Sequence, residues 1–170
     1  MVLTALLPAV ALGAFNNDFR SYSDRLLRDA KPGMTAVMLT TQAARMWPMV
    51  EERHLQWPSR YYHFWMMQSV ANRIAEGRPV DGPLLDFVNR VRLETVEDFT
   101  CNPPDILIGD GYSVDEWPFD MLAYFRQEPR FAELMKSYSA QFRLGDFSVY
   151  ERKRDLPPPT GPCVTIAPAH

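Results

Sequence analysis

Thr35-Ala36-Val37-Met38-Leu39-Thr40 and, further on, Asp105-Ile106-Leu107-Ile108-Gly109-Asp110 are the two stretches whose reading decides the fold. Each is a short, nearly continuous apolar run behind a turn signal, Lys31-Pro32-Gly33 before the first and Asn102-Pro103-Pro104 before the second. A strand covered on both faces carries apolar side chains on both, so it reads as an unbroken run rather than an alternation. Two such strands separated by a long helical excursion are expected to lie parallel, joined by a right-handed crossover.

The excursion itself reads as helices. Ala43 to His54 carries Met46, Trp47, Met49 and Val50, and Pro48 in its early turns predicts a kink or a late start. Leu55 to Ser59 resembles a short extended piece, and Tyr62 to Ala75 a second helix stopped by Gly77-Arg78-Pro79. Pro83 to Glu97 is the clearest amphipathic helix. Leu84, Leu85, Phe87, Val88, Val91, Leu93 and Val96 are expected to fill one broad apolar face, with Pro83 in the first turn where proline is tolerated. Upstream, Phe19, Tyr22, Leu26 and Leu27 recur at helical spacing. Downstream, Met121 to Phe125 and Phe131 to Tyr138 read as helical, and Gln141–Arg143 and Phe147–Glu151 flank Gly145-Asp146, with a tight turn near Leu144 to Asp146. The expected fold class is therefore α/β: a small Rossmann-like sandwich with a short parallel strand pair and a C-terminal antiparallel hairpin. Its expected organisation is an apolar segment over 1–17, one α/β domain over 18–152, and a Pro-rich disordered tail over 153–170.

Composition narrows the function classes. A chain of 170 residues with 46% apolar and 23% charged residues suits one globular domain. The net charge of −3 gives no electrostatic reason to expect nucleic-acid binding. The two cysteines, Cys101 and Cys163, form no C-x-x-C pair and show no disulfide framework, so unpaired thiols are the expectation, although an oxidising compartment would let them pair.

Met1 to Asn17 carries no charged side chain. A membrane span needs about 20 apolar residues, and this run is shorter. A signal peptide would want a basic residue before the run, and none precedes Arg20. A buried first helix would carry Pro8 and Gly13 in its interior, which water-soluble helices disfavour. The trailing end of a transmembrane helix tolerates both, and is the preferred of the three readings. Arg20, Arg25, Arg28 and Lys31 follow it and suit lipid headgroups, or simply a solvated helix face.

There is no G-x-G-x-x-G or P-loop glycine pattern, so no nucleotide cofactor is expected, and no Asp-x-Asp triplet to hold a divalent ion. The acidic loop with Asp110, Asp115, Glu116 and Asp120 lacks calcium-loop spacing. His54, His63 and His170 sit in no metal or triad motif, and no serine has a nucleophile-elbow setting. No catalytic residue, cofactor or metal site is expected. Ligands in open α/β sheets tend to sit beyond the carboxyl ends of the parallel strands, which here would present Thr40, Thr41 and Asp110. Trp57 and Arg60 would lie near that rim, the guanidinium suited to an anionic headgroup and the neighbouring aromatics to a membrane interface. The plainer reading, and the preferred one, has Arg60 pairing with a carboxylate at the edge of the core and the aromatics packed.

The run Trp57-Pro58-Ser59-Arg60-Tyr61-Tyr62-His63-Phe64-Trp65 follows a strand ending in Thr40-Thr41. Later come Pro104-Asp105-Ile106-Leu107-Ile108, then Phe119-Asp120-Met121-Leu122, Phe125, Pro129-Arg130-Phe131, Tyr138 and Phe147-Ser148-Val149-Tyr150-Glu151-Arg152. This layout resembles the C-terminal soluble domain of bacterial polytopic membrane proteins related to the C-type glycosyltransferases, which use lipid-phosphate-linked sugars. The resemblance spans roughly 35–152. It implies an inner-membrane parent with this domain facing the periplasm, and residues 1–17 as the end of its last membrane helix. The catalytic carboxylate of that family lies in a loop to which nothing here corresponds, so no catalytic residue carries over. Whether the chain is a fragment or a separate gene stays open.

The leading expectation is a non-catalytic accessory domain that helps to position an acceptor or lipid-linked donor, in contact with membrane lipid or its own transmembrane region. The alternative is a freestanding interaction or binding module without enzymatic activity. An independent small enzyme comes third, for want of motifs.

Overall fold

The structure, a computed structural model, describes residues 22–41, 47–62, 64–111, 113–114, 117–118 and 120–154. Helical residues 22–26 (α1) lead into β1 (Ala36–Leu39). Then follow α2 (Trp47–Glu52), α3 (Met67–Ala75), α4 (Gly82–Cys101) and β2 (Ile106–Asp110). Two short strands, β3 (Ser113–Val114) and β4 (Trp117–Pro118), precede α5 (Met121–Phe125) and α6 (Pro129–Leu134). The hairpin of β5 (Tyr138–Leu144) and β6 (Phe147–Arg152) completes the described chain.

The result is a mixed α/β fold around a four-stranded sheet in the order β1-β2-β6-β5. The two apolar runs pair in parallel, Ala36 against Ile106 through Leu39 against Gly109. Every residue of β1 and β2 is buried, which is what their unbroken apolar sequence anticipates. The predicted hairpin is present and antiparallel, and β6 also pairs antiparallel with β2. The predicted extended piece at 55–59 is reduced to one parallel bridge, Thr35 to Gln56.

Side chains alternate between the two faces of the sheet and define two cores. Val37, Leu39 and Leu107 join Phe64, Val88, Val91, Val96, Phe99, Phe125 and Phe131 on one face. Ala36, Met38, Ile106, Ile108 and Val149 join Leu26, Leu27, Met49 and Val50 on the other. Helices thus cover the sheet on both sides. Gly109 is the one small residue in β2 for a reason: a β-carbon there would sit 3.2 Å from that of Leu122, so its absence lets α5 lie close.

Several helix limits differ from expectation. Residues 62 and 64–66 are not helical: the Phe64 N–H bonds the Thr40 carbonyl (2.9 Å) and Phe64 is drawn fully into the core. Helix α4 runs to Cys101, past the expected Glu97, and its inner face is Val88, Val91, Thr95, Val96, Asp98 and Phe99. Leu85 and Leu93, expected inside, are exposed, because the helix turns its 88–91–95 stripe to the sheet and these two fall off that stripe. The helix expected to reach Tyr138 passes at Leu134 into a 3-10 turn over Met135–Ser137, and Tyr138 opens β5 with its hydroxyl donating to the Pro104 carbonyl (2.6 Å). Cys101 is disulfide-bonded rather than the unpaired thiol expected from spacing, while Cys163 lies outside the described residues. The apolar segment 1–17 and the tail from residue 155 also lie outside them. Among the described residues no helix is long and apolar enough to cross a membrane.

Candidate functional site

Thr40 and Asp110 stand at the carboxyl ends of the paired parallel strands, and the structure brings them together. The Thr40 hydroxyl donates to Asp110 Oδ2 at 2.7 Å, and each residue is only 1% exposed. A carboxylate withdrawn from water needs donors to replace hydration, and this hydroxyl is one of them. The rim is crossed by Phe64, bonded to the Thr40 carbonyl, and by the hairpin turn, whose Asp146 carbonyl accepts from the Gly111 N–H at 3.0 Å. Thr41 follows, half-buried. The pair is sealed from solvent and acts as a pin between the two strands.

Trp57 and Arg60 belong to a different constellation. Trp57 donates from Nε1 to the Tyr61 carbonyl (2.9 Å), and Ser59 Oγ accepts from the Tyr61 N–H (3.1 Å). This compact turn aims Arg60 at Asp98, which lies on the buried face of α4 and is 1% exposed. Arg60 donates its backbone N–H to Asp98 Oδ2 (2.8 Å), and Nε and Nη2 to Oδ1 (3.0 and 2.7 Å). Nη2 also reaches Glu97 (3.1 Å), and Nη1 lies 4.0 Å from Glu94. The Asp98 hydrogen bond, opposed by burial, holds the guanidinium pKa above its ordinary value. Tyr61 donates its hydroxyl to Glu94, and burial first, that bond second, push its pKa up to about 12. Every side-chain bond of Arg60 goes to α4 and none to Asp110, so the carboxylate pairing weighed as the plainer reading is the one observed.

Sequence reasoning passed over Asp98 although a signal was present. Val91, Thr95 and Asp98 recur at helical spacing on one face, and an acid on an apolar stripe requires a buried partner. It also passed over a polar clamp at the opposite end of the sheet. There Asp105 Oδ2 accepts from the Thr35 N–H (2.9 Å) and hydroxyl (3.1 Å), and Oδ1 from Arg152 Nη2 (2.9 Å). Burial raises the Asp105 pKa, but the Thr35 and Arg152 bonds outweigh it and leave the carboxyl below its ordinary value. Beside this clamp opens a cleft of about 550 Å³ lined by Lys31, Pro32, Gly33, Met34, Asp105, Arg152 and Arg154.

Of the acidic loop, Asp120 caps α5 by accepting from the Ala123 N–H (2.9 Å), whereas Asp115 and Glu116 lie outside the described residues. His54 is exposed and ends α2 with a φ of 53°, and His63 also lies outside the described residues. Among the described residues no three His, Cys, Asp or Glu side chains are grouped to hold a metal ion. Compared with known proteins, the chain matches no family model, no characterised sequence and no solved structure.

Proposed function

We propose that this chain is a non-catalytic accessory domain of a glycosyltransferase-like bacterial inner-membrane protein, facing the periplasm and helping to position an acceptor or a lipid-linked donor. One observation carries the reading: several of the polar residues on which the resemblance rests are bonded into the frame. Ser59 and Arg60 fasten to Asp98, Asp105 fastens to Thr35 and Arg152, Tyr138 fastens to Pro104, and Asp120 caps a helix. Such a set suits a structural signature rather than a reactive one. In this reading β1, α4 and β2 form a Rossmann-like unit without nucleotide-binding chemistry. Two further observations favour the location. Cys101 is disulfide-bonded, and disulfides persist in oxidising compartments. Trp65 and Tyr62 are 59% and 40% exposed, as aromatics at a membrane surface are.

The test compares the full chain with a variant lacking residues 1–17. The proposal expects the variant to keep its thermal midpoint and to lose sedimentation with phospholipid vesicles. Unfolding of the shortened chain would instead assign those residues to the core.

The second reading is a freestanding interaction module, favoured by the exposure of Ile74 (56%), Leu93 (43%) and Leu85 (38%). It expects those three positions, and not residues 1–17, to govern association.

A further inference from the structure

The cleft at the amino-terminal edge of β1 and β2 gathers basic side chains. Its walls come from the turn after α1 (Lys31 to Met34), the start of β2 (Asp105), and the end of β6 with the residues after it (Arg152 and Arg154). Three cations face one anion there, in a chain whose net charge is −3. The anion is already satisfied, since both Asp105 oxygens accept bonds and Arg152 neutralises its charge. That leaves Lys31 and Arg154. Neither side chain has a hydrogen-bond or ion-pair partner among the described residues. Elsewhere among the described residues Arg53, Arg60, Arg73, Arg78, Arg130 and Lys136 are paired with carboxylates, whereas Arg25, Arg90, Arg126 and Arg143 are not; what sets Lys31 and Arg154 apart is that they line one cleft. Two unpaired cations converging on one concavity raise the local potential for anions. Gly33 adds no side chain to fill it, and a β-carbon there would meet open space.

The ligand class follows from charge and size. Lysine and arginine together suit a phosphate, the ammonium as a point charge and the guanidinium as a planar fork. A volume of about 550 Å³ lies within the range of small-molecule sites. It equals the liquid volume of roughly eighteen waters, too much for a bare phosphate to fill. Only Pro32 and Met34 among the lining residues are apolar, so the body carrying the phosphate should be polar.

We propose that this cleft binds a phosphate group attached to a polar body, with Lys31 and Arg154 as its anion ligands and the Arg152–Asp105 pair as its fixed wall. The site lies at the end of the sheet opposite Thr40 and Asp110. It goes beyond the accessory-domain reading and stands independently of what residues 1–17 do. The phosphate has two possible sources, a soluble sugar phosphate or a lipid headgroup, and both use the same two cations.

The experiment measures binding by the full chain, at low and at physiological salt, in two arms. One titrates glucose 6-phosphate, with glucose and inorganic phosphate as comparisons; the other titrates vesicles of phosphatidylglycerol against vesicles of phosphatidylcholine. The double variant Lys31→Ala/Arg154→Ala removes the proposed ligands but leaves the Arg152–Asp105 pair, and Arg78→Ala serves as a remote charge control. Loss of two charge-assisted bonds should weaken binding by roughly tenfold or more. Saturable binding of glucose 6-phosphate that falls by that factor in the double variant, and not in Arg78→Ala, supports the site with a soluble ligand. The same pattern confined to phosphatidylglycerol vesicles supports it with a headgroup as the source. Absence of binding in both arms overturns the proposal, and so does binding that the double variant leaves unchanged while its circular dichroism matches the parent chain.

Discussion

Asp105 illustrates what a single residue does in this fold and why its role was hard to read. In sequence it is the acid that opens the second apolar run, directly after the turn signal Asn102-Pro103-Pro104, and nothing in the run names its partners. In the structure it ties three strands, because its carboxylate accepts from Thr35 beside β1 and from Arg152 on β6 while β2 begins at the next residue. The same holds for Asp98. Both acids act through partners far away in the chain, and spacing along one segment carries no information about them. The lowered pKa of Asp105 has a definite consequence for pH dependence. Because its folded pKa lies below the ordinary 3.8, the carboxylate contributes stability that is fully present above that value and is lost as pH falls through the folded value. Replacing Asp105 with Asn should lower stability at neutral pH by about 1–2 kcal/mol, since a part-buried charge-assisted bond to Arg152 is weakened. It should also flatten the acid limb of the stability curve below about pH 4. Urea denaturation across pH 2.5 to 7 checks both, and parallel curves for parent and variant would contradict this account of the clamp.

At the scale of elements, the sheet was the most legible part and the helix limits the least. Burial on both faces forces a strand to be apolar throughout, so β1 and β2 were visible as runs. The turn of the hairpin was visible because a two-residue connection favours glycine. Helix ends depend on tertiary bonds such as Phe64 N–H to Thr40, which no local pattern announces. The hairpin turn also shows how one position serves two constraints. Gly145 has a φ of +57°, and the hydroxyl of Tyr22, bonded to the Leu144 carbonyl, occupies the space a β-carbon would need. Tyr22 in turn packs edge-on against Phe147, 5.6 Å between ring centroids, which anchors α1 to the hairpin. Gly145→Ala should therefore cost about 1–2 kcal/mol for the left-handed backbone alone, and more through displacement of Tyr22. Adding Tyr22→Phe to the alanine variant should recover the second part but not the first. A double-mutant cycle by chemical denaturation measures the coupling, and strictly additive effects would show that the tyrosine and the turn are independent.

For the molecule as a whole, the pattern of apolar residues says which side chains are buried only once the sheet has fixed the orientation of each helix. Helix α4 makes the point: seven apolar positions were expected on one face, yet Val88, Val91 and Val96 are wholly buried while Leu85 and Leu93 are 38% and 43% exposed. The side of the sheet that α4 covers is held by an aromatic chain. Phe64 meets Phe125 edge-on at 5.3 Å, Phe125 lies 5.8 Å from Phe131, and Phe131 lies 6.4 Å from Phe99. Phe125 is the hub, linking the segment after β1 to α5 and α6, and it is fully buried. Truncating it leaves a cavity that three separate elements border, and their backbones are too constrained by the sheet to close it. Phe125→Ala should thus lose about 3–5 kcal/mol, the upper part of the range for core truncations. Leu93→Ala should change stability by no more than about 0.5 kcal/mol, because its side chain stands largely in water. Equilibrium unfolding of the two variants tests the asymmetry. If Leu93→Ala were the more damaging of the two, α4 would have to be turned about its axis, and Val88 and Val91 could no longer both face the sheet.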